Sequence, residues 1–301
     1  MPADKLLAGL IGSGIQRSLT PAMQEEEARH HQLRLHYQLI DLDRTPGALA
    51  QLPGLLGAAR TMGFAGLNIT YPCKQAVVPL LDELSPEARA IGAVNTVVMR
   101  GGRMVGHNTD GSGWAWGFRR VLPRADLSRV ALIGAGGAGS AIADAVLRLG
   151  APCLCVVDVD CARAQALADA LNARFGGRAS AHVDAAQALA GATGVVHATP
   201  TGMAKLPGLP IPATLLRPSM WVSDAVYVPI ETELLKAART LGCPVMDGGS
   251  MAVGQAVGAF ELFTGIKADA ARMERHFRRL LATRRDNTTA PGEPDGHRSQ
   301  D

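Results

Sequence analysis

Between residues 130 and 150 the chain reads VALIGAGGAGSAIADAVLRLG, and no other stretch restricts the fold so tightly. An apolar run enters three glycines spaced G-x-G-x-x-G, at Gly134, Gly136 and Gly139, and a segment with helical apolar spacing leaves them. Gly134 permits a tight turn. Gly136 lets the backbone approach a pyrophosphate with no Cβ in the way, and Gly139 lets the helix pack on the strand. The helix start then offers free N–H groups to an anion. A glycine-rich turn without a ligand is the plain alternative, and the flanking strand and helix weigh against it.

Strand and helix patterns alternate on both sides of this unit. Before it, strands are expected over residues 6–12, 37–41 and 64–70, with helices over 21–35 and 48–62. Residues 94–99 and 103–106 flank the turn Arg100-Gly101-Gly102, a hairpin signal. A helix over 113–121 leads into strands at 130–134, 153–158, 179–183, 194–199, 221–224 and 244–247, with helices at 140–149, 162–175 and 230–241 between them. Strands separated by helices of this length imply a parallel, doubly wound sheet. Helices over 251–263 and 268–283 close the chain, and their expected resting place is the first unit. The expected class is therefore α/β with two domains. Residues 1–112 with 248–284 form an α/β unit, 113–247 form a Rossmann-type unit, and 285–301 form a disordered tail without apolar pattern.

Composition narrows the partners. At 301 residues, with 47% apolar and 19% charged residues, the chain has room for sizeable cores. Thirty basic against 27 acidic residues leave no large field for nucleic acid or a membrane surface. No apolar run nears the roughly 20 residues of a membrane span. The first residues lack a small-residue cleavage site, so no secretory signal is expected. Five cysteines (Cys73, Cys153, Cys155, Cys161 and Cys243) contain no C-x-x-C pair. Reduced thiols in the cytoplasm, with no metal site and no disulfide, are the expected reading.

Asp158 ends the strand after the glycine turn, where an acid bonds ribose hydroxyls. A 2′-phosphate about 4 Å from that carboxylate would be repelled by about 4 kcal/mol at an effective dielectric near 20. This favours NAD over NADP, although Arg163 lies five residues on and a cation relieves such repulsion. Asp160 reads as a helix cap.

Three further segments are polar for strand ends. Ser18 and Thr20 of SLTP would share a side if extended and could hold a carboxylate; a plain helix cap is the alternative. Lys74 in NITYPCKQ is a candidate general base, against a solvated helix-start lysine. Asn95 in GAVNTV and Asp110 in GHNTDGSG lie near strand ends, and Asp110 is otherwise a turn residue. Cys73 and His107 are expected to serve packing and hydrogen bonding.

Taken with GAGGAGSA, ATPTGM, DAVYVPIETELLKAA and DGGSMAVGQAVGAF, these blocks make the chain resemble the shikimate/quinate dehydrogenase family over nearly its full length. The resemblance implies an enzyme that oxidises a ring hydroxyl of quinate or shikimate reversibly to the 3-dehydro ketone. It implies that Lys74 and Asp110 form the catalytic pair. Ser18 and Thr20 would take the substrate carboxylate, while Thr70, Lys74, Asn95 and Asp110 surround the ring hydroxyls. Gln255 and Tyr227 would reach in from elsewhere. On the cofactor side it implies the glycine turn with Ala135, Gly137 and Ala138, then Ala198, Thr199, Val226 and Gly248.

The chain departs from biosynthetic, NADP-using members in three places. Asp158-Val159-Asp160-Cys161 replaces a basic stretch, Thr20 replaces serine, and Gly14 replaces proline. The pattern resembles the NAD-dependent quinate/shikimate branch. The alternatives are an NADP-dependent shikimate or aminoshikimate-type enzyme and, in another class, an NAD-binding sensor without turnover. Either a monomer or a homodimer is compatible with it.

Overall fold

The computed structural model describes residues 5–44 and 47–289. The first half builds a mixed sheet. Its elements in chain order are β1 (Lys5–Gly12), α1 (Thr20–His30), β2 (Arg34–Asp41), α2 (Leu52–Thr61), β3 (Gly66–Ile69), α3 (Cys73–Ala76), β4 (Glu83–Leu84), α4 (Pro86–Ile91), β5 (Thr96–Arg100) and β6 (Arg103–His107). The strands lie in the order β2-β1-β3-β5-β6-β4. β1 is parallel to β2 and β3, and β5 runs antiparallel to β3 and β6. The expected hairpin forms with a two-residue turn, Gly101 and Gly102, both at positive φ, while Arg100 ends β5.

The second half begins with α5 (Asp110–Val121). It continues through β7 (Val130–Ile133), α6 (Gly137–Arg148), β8 (Leu154–Val157), α7 (Cys161–Phe175), β9 (Ala179–His182), α8 (Ala185–Leu189), β10 (Gly194–His197), β11 (Trp221–Asp224), α9 (Glu233–Thr240) and β12 (Val245–Met246). These strands are all parallel, in the order β12-β11-β10-β7-β8-β9. Alternate residues enter opposite cores. Val130, Leu132, Val156 and Val196 join one cluster, and Ala131, Ile133, Val157 and Val195 the other. Both faces are therefore covered, which is why these strands read as continuous apolar runs.

α10 (Gly248–Thr264) and α11 (Ala270–Thr289) then return to the first sheet. Ala259 and Phe263 of α10 pack with Ala8, Leu10 and Val98, while Ala252, Val253 and Ala256 pack with Leu19, Met23, Met273 and Phe277. Arg272 of α11 bonds the buried Glu27 carboxylate of α1 at 2.6 and 2.7 Å. No helix among the described residues is long and apolar enough to cross a membrane.

Several expected boundaries shift. The helix expected to residue 35 stops at His30, because Gln32 adopts a left-handed φ of 60° and the chain turns into β2. The helix expected from 48 is a 3-10 turn before α2 starts at Leu52, with Pro53 in its first turn. Of the tail expected from 285, residues 285–289 continue α11, and 290–301 lie outside the described residues.

α5 and α10 cross backbone to backbone. A Cβ built on Gly254 would lie 2.6 Å from Gly113 Cα, and one on Gly113 would strike the Gln255 amide. Gly113→Ala should cost about 1–3 kcal/mol in urea unfolding, by forcing the helices apart. Gly54→Ala on α2, where an added methyl meets nothing within 4 Å, should instead add about 0.4–1 kcal/mol. Equal stabilities for the two variants would contradict the close crossing.

Candidate active site

The site forms where the carboxyl ends of both sheets face each other. β3 ends at Ile69, and the chain turns into the short helix α3, which carries Lys74. α5 begins at Asp110 itself rather than after a turn, so this carboxylate stands in the favourable field of a helix N-terminus. Lys74 Nζ is ion-paired with Asp110 Oδ2, and both side chains are largely buried. Asn95 Nδ2 donates to the other oxygen, Oδ1, at 2.9 Å. Asn95 is fixed in turn: its Oδ1 accepts from the Thr109 N–H at 2.8 Å and from the Thr96 hydroxyl at 2.9 Å. Lys74, Asn95 and Asp110 thus form one bonded group.

Ser18 and Thr20 form a second group. The Ser18 hydroxyl donates to Thr20 Oγ1 at 3.1 Å, and the Thr20 N–H donates back to Ser18 Oγ at 3.2 Å. The N-cap position of α1 is Leu19, and Thr20 is already helical, so Thr20 is not the ordinary cap of the plain reading. Gly14 sits just upstream at φ 69°, and its N–H donates to Asp41 Oδ1 at 3.0 Å. A proline at this position could supply neither feature. Gly14 also leaves room for Lys205, from the loop after β10, which pairs with Asp43 across the two halves of the chain.

The remaining expected residues border these groups. Thr70 lies against Gly12, whose added Cβ would strike the threonine methyl. Gln255 on α10 donates its side chain to Ala252 O at 3.0 Å, and its carbonyl accepts from the Thr109 hydroxyl at 3.0 Å. Tyr227 packs beside Phe277, with ring centroids 6.2 Å apart, in the cluster that holds Leu19 and Met23. Beneath them the Tyr37 hydroxyl donates to Asn68 Oδ1 at 2.7 Å, and burial, with Tyr227 adding to it, pushes its pKa well up. Cys73 is buried, which pushes its thiol up to about 11 and leaves it a packing group. Burial pulls the His107 pKa down, against the opposing charge of Glu87.

The glycine turn fits a dinucleotide. Gly134 has φ 106°, and a Cβ there would lie 2.8 Å from Ala198 O and from the Thr199 methyl. A Cβ on Gly139 would strike Gly134 O, so helix and strand touch at that point. Gly136 is extended, its Cβ direction is open for 4 Å, and no side chain caps α6. That opening, beside unfilled first-turn N–H groups at Gly137 and Ala138, suits a pyrophosphate. Gly137 faces inward instead: a Cβ there would lie 2.9 Å from Lys74 Cβ. Asp158 Oδ2 accepts from the Ala135 N–H at 2.7 Å, and Oδ1 accepts from the Asp160 N–H at 2.9 Å and from Arg163 at 3.2 Å. Arg163 also pairs with Asp160, which caps α7. Val226 donates its N–H to Asp224 at 2.9 Å, and Gly248 abuts the carbonyls of Ala225 and Val226.

Two residues escaped sequence reasoning: His197 and Asp224, buried beneath Thr199. The signal was present as a polar residue closing each of two apolar strands, VVH and VSD. Only the strand order makes them neighbours.

Comparison with known proteins agrees with this geometry. A family profile described as the shikimate dehydrogenase substrate binding domain matches residues 10–97, and one described as the shikimate 5′-dehydrogenase C-terminal domain matches 250–276. The chain is 56% identical to a shikimate dehydrogenase (NADP(+)) of Streptomyces avermitilis, over 94% of this chain and 98% of that protein. It is 50% identical to a quinate/shikimate dehydrogenase (NAD(+)) of Corynebacterium efficiens, over 92% and 99%. A quinate dehydrogenase from Corynebacterium glutamicum, solved in complex with NAD, superposes with a TM-score of 0.84 at 49% identity, over 92% of this chain and 100% of that one. With relatives this similar along almost its whole length, the chain belongs to the shikimate dehydrogenase family.

Proposed function

We propose that the chain is an NAD-dependent quinate/shikimate dehydrogenase, interconverting a ring hydroxyl and its 3-dehydro ketone. The observation that carries this reading is the buried Lys74–Asp110 pair set against the glycine turn through Gly137. In this reading residues 1–112 with 248–284 hold the substrate, and 113–247 hold the dinucleotide. The paired hydroxyls of Ser18 and Thr20 take the substrate carboxylate, and Thr70, Asn95, Tyr227 and Gln255 border the ring. Thr20 stands where biosynthetic members of the family usually carry serine, a change that in similar sequences goes with acceptance of quinate.

The glycine turn, Asp158, Ala198, Thr199, Val226 and Gly248 would hold NAD, which would supply the hydride acceptor for the carbinol carbon. The protein's own part is the proton. In oxidation the ring hydroxyl gives its proton to Lys74 in its free amine form, which thereby becomes the ammonium, with Asp110 holding the lysine and Asn95 holding Asp110 in line. In reduction the Lys74 ammonium returns that proton and offsets charge on the developing alkoxide. The two groups act as one unit, because each is the other's nearest charge.

Relatives carry both NAD(+) and NADP(+) names, so the choice rests on this chain's residues. Two carboxylates, Asp158 and Asp160, share the one cation, Arg163. A 2′-phosphate would have to take Arg163 from both. Arg163 is half-exposed and remains the feature that favours the NADP alternative. A small-molecule enzyme with five free cysteines suits the cytoplasm, as a monomer or homodimer.

Assay of quinate and shikimate against NAD and NADP, followed at 340 nm, tests the whole reading. Turnover with higher kcat/KM for NAD is expected. A preference for NADP would overturn the cofactor assignment, and NAD binding without turnover would favour the sensor. Lys74→Ala should lower kcat by roughly 10²-fold or more, with a smaller change in KM. Asp158→Ala should raise the NADP-to-NAD ratio of kcat/KM; an unchanged ratio removes Asp158 from the argument. Gly136→Ala has space in the free protein, so its Tm should stay close to wild type while NAD binding weakens by about tenfold or more.

A further inference from the structure

Behind the dinucleotide turn lies a buried polar chain that the mechanism above does not use. His197 ends β10 and Asp224 ends β11, and the two are register partners on adjacent parallel strands. Both side chains are fully buried. His197 Nδ1 lies 2.9 Å from Asp224 Oδ1, and Nε2 lies 2.6 Å from Thr199 Oγ1. Asp224 also accepts from the Val226 N–H at 2.9 Å and the Thr232 hydroxyl at 2.7 Å.

The donors and acceptors order themselves. As a carboxylate Asp224 can only accept, so the ring proton sits on Nδ1. In its neutral form the ring offers a lone pair at Nε2, and the Thr199 hydroxyl donates into it. The Thr201 N–H donates to the same Thr199 oxygen at 3.2 Å. The hydroxyl proton of Thr199 therefore points inward, and one lone pair of Oγ1 is left. Thr199 is only partly buried, and its methyl packs against Gly134 of the dinucleotide turn. The site lies at the carboxyl ends of the parallel strands, where ligands of such sheets bind.

We propose that His197 is a positioning residue. Backed by Asp224, it locks the Thr199 hydroxyl so that Oγ1 accepts a hydrogen bond from a donor group of the bound dinucleotide, a ribose hydroxyl or the carboxamide amine. An unlocked threonine hydroxyl rotates freely and offers a proton as readily as a lone pair. The lock thus makes the site select for a donor. This inference rests on the dinucleotide reading of the glycine turn.

The test is a double-mutant cycle on His197→Leu and Thr199→Val, read as the NAD dissociation constant by calorimetry, with Tm of the free protein beside it. Each single variant should weaken NAD by about tenfold, the scale of one lost buried hydrogen bond. The double variant should bind no more weakly than either, because Thr199→Val removes the group through which His197 acts. The Tm loss from His197→Leu should be smaller in the Thr199→Val background, where the hydrogen bond between the two is already gone. KM for the ring alcohol should stay within about twofold, since the loss falls on dinucleotide binding. If the two effects on NAD multiply, His197 acts only through the fold and the proposal is overturned. Should the leucine variant not fold, His197→Asn completes the same cycle. Failure of the wild-type protein to bind NAD would overturn the proposed function itself, a result distinct from an additive cycle.

Discussion

An ammonium and a carboxylate paired out of bulk water dictate much of the architecture around them. Removing two such charges from solvent costs several kcal/mol per ion before their attraction is counted, and only good geometry with further hydrogen bonds offsets it. The protein supplies those bonds from separate parts of the chain. α5 begins at Asp110 and lends its N-terminal field. Asn95, just before β5, takes the second carboxylate oxygen and is itself held by Thr96 and Thr109. Thr109 in turn is tied to the carbonyl of Gln255 on α10. The return of α10 to the first sheet is therefore part of what keeps the pair assembled, and the glycines at the α5–α10 crossing are what let it come so close.

The same pair is where the two halves of the molecule meet. Gly137 belongs to the glycine turn, yet the space left by its missing side chain is occupied by the stem of Lys74. One glycine thus serves a helix start on one side and a lysine on the other. The turn therefore touches the carbon stem of Lys74 directly. At the other end of the interface, Lys205 reaches to Asp43 over Gly14. That contact is exposed and worth little by itself. Its placement still matters, because it joins the loop after β10 to the turn after β2, whose neighbour Asp41 holds Gly14 and Gln16 just upstream of Ser18.

Much of this was legible in the residues. The glycine turn, the apolar strands around it and the hairpin at Gly101-Gly102 follow from local backbone demands, and local demands are written in consecutive letters. Lys74, Asn95 and Asp110 were visible as polar residues at strand ends. Their bonding was not, because it depends on which strands lie side by side. The same limit hid His197 and Asp224, which are 27 positions apart and become neighbours only through the register of β10 and β11. The helix that stops at His30 shows a different limit: the left-handed turn at Gln32 has no glycine to announce it. Thr20 shows a third, since a threonine before proline reads as a cap and proves to be helical.

Asp158 ties cofactor choice to the shape of the turn. One oxygen accepts from the Ala135 N–H inside the glycine turn, and the other accepts from Asp160 and Arg163 at the start of α7. The carboxylate that would repel a 2′-phosphate is therefore also a brace between two helix starts. Removing it relieves the repulsion and loosens the brace together. A change toward NADP at this position alone must then weaken the seat of both dinucleotides while altering their ratio. In the proposed reading, preference for the unphosphorylated ribose would be built into the backbone of the turn, and a clean exchange of cofactor would need a second group to hold the Ala135 amide in place of Asp158.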